Sequence, residues 1–214
     1  MQRLALLLTF LAASGTSLAQ VNLWEFDVHL NDRLIGAHSF EVTHDGDRTT
    51  IVSNATMKVK LLFVTVFDYK HTNTEQWSNG CLEQFDADTV EDREQTVANG
   101  RAVEGVFKVS VNGDQSELAP SCVMSFAYWN PIFLDQSQLL NPQTGSYDPV
   151  NIRHAGQETI SAPYGETLAD RYEITTEDAP IRIWYDAATK LWLALESDVD
   201  GRTLRYTPRT LPSI

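Results

Sequence analysis

The residues of this chain that could do chemistry stand on alternate positions. From Tyr69 to Trp77 an extended strand places Tyr69, His71, Asn73, Glu75 and Trp77 on one face. If Asn79-Gly80 makes a two-residue hairpin turn, that face meets Leu82, Gln84, Asp86, Asp88 and Val90, and His71 stands opposite Asp88. A His held by a carboxylate is an arrangement for a general base or for metal ligation. The same pair on a solvated face is an ordinary surface contact. The opposite face, with Thr72, Thr74, Phe85 and Ala87, is not distinctly more apolar. The pattern therefore leaves a solvent face, a polar cavity wall, or a catalytic or metal pair, and the solvent face is the plainest.

His38 is the second candidate. With Asp45-Gly46 as central turn residues, His38 faces Ser53 and Phe40 faces Ile51, while the preceding hairpin brings His38 near Phe26. It then points toward the apolar face, either as a buried His satisfied by a hydroxyl or as a polar group lining a ligand cavity. No other chemistry announces itself. The five histidines are scattered, and HExxH, CxxC, GxSxG, GxGxxG and P-loop patterns are all missing. A glycosidase-type carboxylate pair would come from distant strands and leave no local spacing. An enzyme is the less favoured class, and no cofactor or metal is expected.

The elements that must position these residues are short strands. Trp24, Phe26, Val28 and Leu30 alternate with Glu25, Asp27 and His29, the period of a half-buried antiparallel strand. Turns are predicted at Asn31-Asp32-Arg33, Asp45-Gly46, Asn79-Gly80, Asn99-Gly100 and Asn112-Gly113, and in the second half at Asp200-Gly201. Strands are also predicted over 150–154, 171–175, 181–185, 191–196 and 203–207. The fold class is all-β: an antiparallel meander curved into a half-barrel or open β-barrel, which limits exposed edges.

Two features ask for an explanation beyond a meander. Across residues 181–196, a loop at 186–190 would pair Ile181, Ile183 and Tyr185 with Leu195, Leu193 and Leu191, and put Trp184 opposite Trp192 on the other face. That hairpin is apolar on both sides, so something must cover the Trp pair. The natural cover is Ser125–Gly145, which carries Phe126, Tyr128, Trp129, Ile132, Phe133 and Leu134 and is bracketed by Asn130-Pro131 and Asn141-Pro142. The residue before each proline is pushed out of the helical region, so any helix here is short and lies between Pro131 and Leu140. The segment reads as a hydrophobic plug filling the barrel mouth, or as a lid gating a ligand.

The ends and the composition set the compartment. Residues 1–19, with Arg3, an apolar run over Leu4–Ala13 and Ser17-Leu18-Ala19, form the three-part pattern of a secretory signal. The apolar run is about half of the roughly 20 residues that span a bilayer. Residues 20–214 form one domain: strands over 20–120, the plug segment 121–149, and strands over 150–214. Without Arg3 the chain keeps 15 basic against 29 acidic residues, a balance that phosphate backbones and anionic lipid surfaces repel. Nucleic acid is excluded as a partner, and no later stretch is a membrane span. In an oxidising compartment the only two cysteines, Cys81 and Cys122, favour a disulfide tying a strand to the entrance of the plug.

The strings Ser125-Phe126-Ala127-Tyr128-Trp129-Asn130-Pro131 and Leu139-Leu140-Asn141-Pro142-Gln143-Thr144-Gly145, with Glu75–Leu82 and Trp184-Tyr185-Asp186, resemble an uncharacterised bacterial family. It is secreted or periplasmic and known only as a domain of unknown function. The resemblance implies a periplasmic all-β protein and no established activity. The overall plan is also similar to half-barrel carriers of lipoproteins and lipids. The expected function is non-catalytic binding of an apolar or amphipathic small molecule, such as a lipid, with candidate site residues His38, Tyr69, His71, Tyr128, Trp129, Trp184 and Trp192. The alternatives are an envelope enzyme using His71 and Asp88 or a carboxylate pair, and a structural or assembly protein of the envelope without a ligand.

Overall fold

The computed structural model describes residues 19–61, 63–118, 122–177, 179–199 and 201–213. The expected leader lies outside the described residues but for Ala19. Eight strands follow one another as a meander: β1 Gln20–Leu30, β2 Arg33–Asp45, β3 Arg48–Leu61, β4 Val64–Ser78, β5 Cys81–Glu91, β6 Glu94–Val103, β7 Val106–Val111 and β8 Asp114–Leu118. After the plug segment, with its short strands β9 Gln138–Leu140 and β10 Tyr147–Pro149, come β11 Asn151–Ala162, β12 Gly165–Thr175, β13 Ile181–Asp186, β14 Trp192–Val199 and β15 Arg202–Thr210. Among the described residues thirteen strands form one antiparallel sheet in which β1 pairs with both β2 and β15, joining the two groups edge to edge. The sheet is curved but not closed, and β11 and β8 are its edges.

Turn chemistry fixes most of the meander. Asn31, Asn79 and Asn112 take positive φ at the expected hairpins, which Asn tolerates better than most residues. Asp45 pairs with Arg48, so the central residues of that turn are Gly46 and Asp47, one later than expected. The expected turn at Asn99-Gly100 does not form. Strand β6 runs straight through it, and the chain reverses at Glu104-Gly105. Gly100 is there for packing: a Cβ at that position would come within 2.6 Å of the rings of Phe85 and Phe107.

The plug segment crosses the inner face of the sheet. It enters beside β5, where Leu82 N–H donates to Val123 O at 3.0 Å, and the Cys81–Cys122 disulfide ties down the same place. Asn130 caps a single 3-10 turn, Pro131–Asp135, by accepting from Ile132 N–H, and that turn buries Phe133. The chain then pairs as a small ribbon, β9 with β10, around the Asn141–Gly145 turn. Gly145 is required twice over. Its φ is +71°, and a Cβ would meet Val111 Cγ2 at 2.4 Å, so the ribbon sits directly on β7. One continuous core unites sheet and plug, from Trp24, Phe26 and Phe85 to Phe133, Leu139 and Leu140.

Candidate ligand-binding cavity

The face of β4 that carries Tyr69, His71, Asn73, Glu75 and Trp77 is buried, so the solvent-face reading is overturned. The cause is a bulge at Gln76/Trp77, which shifts the β4–β5 register by one residue. Trp77 still pairs with Leu82, but Glu75 now meets Phe85, Asn73 meets Ala87 and His71 meets Thr89. The polar array thus gains apolar neighbours. Asp88 falls on the outer side, held by Gln95, and forms no pair with His71.

Above this face the plug leaves a cavity of about 200 Å³. Its floor is built by three adjacent strands: His38 and Phe40 from β2, Ile51 and Ser53 from β3, and His71, Asn73 and Glu75 from β4. Its roof is Phe126–Trp129 with the Asn141–Gln143 turn, and its far wall is Thr176, Ala179, Ile181 and Ser197. Gln143 is exposed and Thr176 half-buried, which places the rim on that side.

The floor is held by hydrogen bonds. His38 pairs Nε2 with Ser53 Oγ at 2.7 Å and Nδ1 with Tyr206 Oη at 3.1 Å. The expected Ser53 contact therefore exists, although His38 is paired across the ladder with Ala55, because the later turn moves the register by two and keeps the face. His71 Nδ1 pairs with Thr89 Oγ1 at 2.9 Å. Glu75 accepts from Asn73 Nδ2 at 3.1 Å and from Trp77 Nε1 at 2.8 Å, with Ser125 as a third partner from the plug.

Burial sets the charge of the floor. It lowers His38 to about 3, helped by the proximity of His71. It lowers His71 to about 4 against a smaller opposing pull from the Asp88 charge. It raises the Glu75 carboxyl, against the stabilising effect of its three hydrogen bonds. Both imidazoles are consequently neutral at pH 7, and no Lys or Arg lines the cavity among the described residues. Among the described residues, two side-chain atoms of the lining residues are closed off from solvent without a hydrogen-bond partner: the Asn73 Oδ1 acceptor and the Trp129 Nε1 donor.

The expected site residues divide accordingly. His38, His71, Tyr128 and Trp129 line the cavity. Tyr69 stands one step back, donating from its hydroxyl to Gln143 Oε1 at 2.7 Å. Trp192 lies behind the lining, with its ring 5.4 Å from Tyr128 and 4.4 Å from Phe26. Trp184 does not join it. A bulge at Trp184/Tyr185 pairs Tyr185 with Trp192 and Trp184 with Ala194. Trp184 then packs with Leu193 and Ala169 on the opposite face, donating to Glu158 at 2.6 Å. Asn73, Glu75, Ser53 and Gln143 also line the cavity, although none was among the candidate site residues. Their signal was the placement of Asn73 and Glu75 two and four residues after His71, on one strand face.

The family described as a domain of unknown function, DUF6134, matches residues 26–209. The chain belongs to that family. Both strings that suggested such a membership build the DUF6134 plug, one as its cavity roof and one as its ribbon turn. Among curated proteins none matches the chain. The crystal structure of a β-barrel-like protein of another domain of unknown function, DUF1849, from Brucella abortus is similar in fold. It has a TM-score of 0.66 at 11% identity, over 91% of this chain and 98% of that one. LprF from Mycobacterium bovis aligns at 15% identity over 91% of this chain and 87% of that one, with a TM-score of 0.31.

Proposed function

We propose that the protein is a non-catalytic binding protein of the periplasm, holding a small apolar or amphipathic molecule beneath the plug. The observation that carries this reading is the cavity itself, which has an aromatic roof edged by the Asn141–Gln143 turn and a hydrogen-bonding floor. An engineered apolar cavity of about 150 Å³ takes up benzene, so about 200 Å³ suits a ligand part of roughly six to eight heavy atoms. A lipid would place only its polar end or a short segment inside. Burial of the apolar part contributes at roughly 25 cal/mol per Å², and Tyr128 and the floor residues orient the polar end. The Cys81–Cys122 disulfide is compatible with an extracytoplasmic location. Native mass spectrometry of protein purified from its own host tests the reading. A non-covalent adduct that is lost on denaturation is the expected result. A chain with no bound mass and no uptake from lipid or small-molecule extracts would overturn it.

A further inference from the structure

We propose that the end of the β3–β4 hairpin is a membrane-docking element. It seats in the headgroup region of an anionic phospholipid bilayer, with Phe63 and Val66 at the acyl boundary and Lys58 and Lys60 at the lipid phosphates. The proposal stands apart from the binding reading above, and either can fail without the other.

The ladder leaves this end of the hairpin projecting. Pairing of β3 with β2 stops at Gly36 and Met57, and pairing of β4 with β5 stops at Tyr69 and Glu91. Beyond those rungs β3 and β4 pair with each other, Lys58 with Asp68, Val59 with Phe67, Lys60 with Thr65 and Leu61 with Val64. At about 3.3 Å per residue, the four residues from Met57 to Leu61 reach roughly 13 Å past the last rung with β2. A bare two-stranded ribbon is marginal in water, so its end gains from being covered.

Its composition is not that of a solvated turn. The other reversals of the meander are made by Asn31-Asp32, Gly46-Asp47, Asn79-Gly80, Asp92-Arg93, Glu104-Gly105 and Asn112-Gly113. Here no residue between Lys60 and Asp68 is charged. Phe63 is 100% exposed and Val66 52%. One exposed hydrophobe is ordinary, but a ring and a branched side chain at the end of a projecting ribbon form an apolar wedge. Interfacial elements bury such groups about 5–10 Å deep, which is within the reach of the ribbon. On the inner face Phe67 stacks on Tyr69 at 6.2 Å and Tyr69 on His71 at 6.4 Å, so a row of rings runs from this end to the cavity floor.

Charge selects the occupant. The chain is acidic as a whole, at a net −13, and an anionic surface repels most of it. Three of its five lysines nevertheless stand on this hairpin, Lys58, Lys60 and Lys70, and all three are exposed. The one acidic residue between them, Asp68, is paired with Lys58 at 2.8 Å. The neighbouring acidic turn, Glu91–Glu94, comes level with Asp68, where Asp92 N–H donates to Asp68 O at 2.9 Å. Lys60 therefore stands ahead of the acidic body, and its flexible stem lets the ammonium reach phosphate while the carbons lie along apolar surface.

Flotation of the intact disulfide-bonded protein with vesicles tests the proposal. One set is phosphatidylcholine with phosphatidylglycerol and the other phosphatidylcholine alone, each at low and high salt. The protein should bind the anionic set, at least about fivefold more tightly than the other, and salt should weaken that binding. Phe63→Ser should lower the affinity at least about tenfold, as expected for a ring that leaves water on docking. Lys60→Gln should lower it roughly fivefold on the anionic set alone. Leu168→Ser, which removes a half-exposed hydrophobe at the opposite end of the sheet, should change nothing. All three side chains are exposed, so the variants keep the fold, which circular dichroism checks. If Phe63→Ser does not fold, Lys60→Gln decides. Absence of binding to either set, equal binding to both, or an equal loss in Leu168→Ser would overturn the proposal. So would a concentration-dependent dimer that Phe63→Ser dissolves, because it would assign this end of the hairpin to a second copy of the chain.

Discussion

One segment covers two stretches of the same curved sheet, with opposite results. Over β1 and β14 the plug closes by aromatic contact: Tyr128 lies 5.4 Å from Trp192, which is itself 4.4 Å from Phe26 and 5.1 Å from Phe40 at the border of the cavity. Over β3 and β4 the plug offers rings of the same kind, Phe126 and Trp129, yet a cavity remains. The difference lies in the floor. Large apolar side chains project from one stretch, whereas on the other Ser53 is held by His38, His71 by Thr89, and Asn73 and Glu75 by each other, and the space above them stays unfilled. Polar residues buried in this way are tolerable because they are paired. The space they leave is thus a product of the sequence rather than of poor packing.

The strongest way to break this contrast is to hollow out the filled side. Trp192→Ala should cost about 3–5 kcal/mol in urea unfolding, because a fully buried indole leaves a void that the surrounding rings cannot close. Trp129→Ala, whose ring is half-buried and already borders the cavity, should cost less. Equal losses would mean that the two stretches are packed alike. Reduction of Cys81–Cys122 acts on both together, since it releases the entrance of the plug. For residues 41 apart, the chain-entropy model gives about 4 kcal/mol, to be read from unfolding with and without reductant.

The filled side was more legible in the sequence than the hollow one, for a physical reason. Alternation of Trp24, Phe26 and Val28, and the turns at Asn79-Gly80 and Asn112-Gly113, express period and turn geometry directly, and both survive into the structure. Bulges have no such signature. The one at Gln76/Trp77 decides whether His71 meets Asp88 or Thr89, and the one at Trp184/Tyr185 decides whether the two tryptophans share a face. Each moves every residue beyond it by one position on the ladder. Gly100 taught a related lesson. An Asn-Gly pair reads as a turn unless the partner strands bring two phenylalanine rings over it, and that depends on residues far along the chain.

Acid should weaken the hollow side selectively. His38 and His71, lowered to about 3 and about 4, refuse protons that the unfolded chain takes up below about 6.5. Their contribution to stability is therefore complete above that value and is lost progressively as the pH falls toward the folded values. One pKa unit corresponds to about 1.4 kcal/mol, so at pH 5 each ring has lost roughly 2 kcal/mol. Glu75 works in the other direction. Its raised carboxyl keeps a proton that the unfolded chain has released, so its contribution is present below about 4.5 and is lost as the pH rises through the folded value. Stability compared at pH 5 and pH 7.5 should change less in His71→Gln and more in Glu75→Gln than in the wild type. An unchanged difference in His71→Gln would remove His71 from the set of buried neutral groups.

The smallest expected effect sharpens the contrast most. Asn73→Leu removes an acceptor that has no partner, and with it one of the three hydrogen bonds that Glu75 accepts, while Trp77 and Ser125 remain. Relief of the orphaned oxygen and loss of the Glu75 contact are each worth about 1–3 kcal/mol and have opposite signs, so they largely cancel and stability should move by no more than about 2 kcal/mol. A leucine in place of a buried hydrophobe's neighbour would be unremarkable, but here it replaces a group whose unsatisfied atom faces no protein donor. A large loss of stability on Asn73→Leu would show that the oxygen does have a partner in solution, and the hollow side would then be as self-sufficient as the filled one.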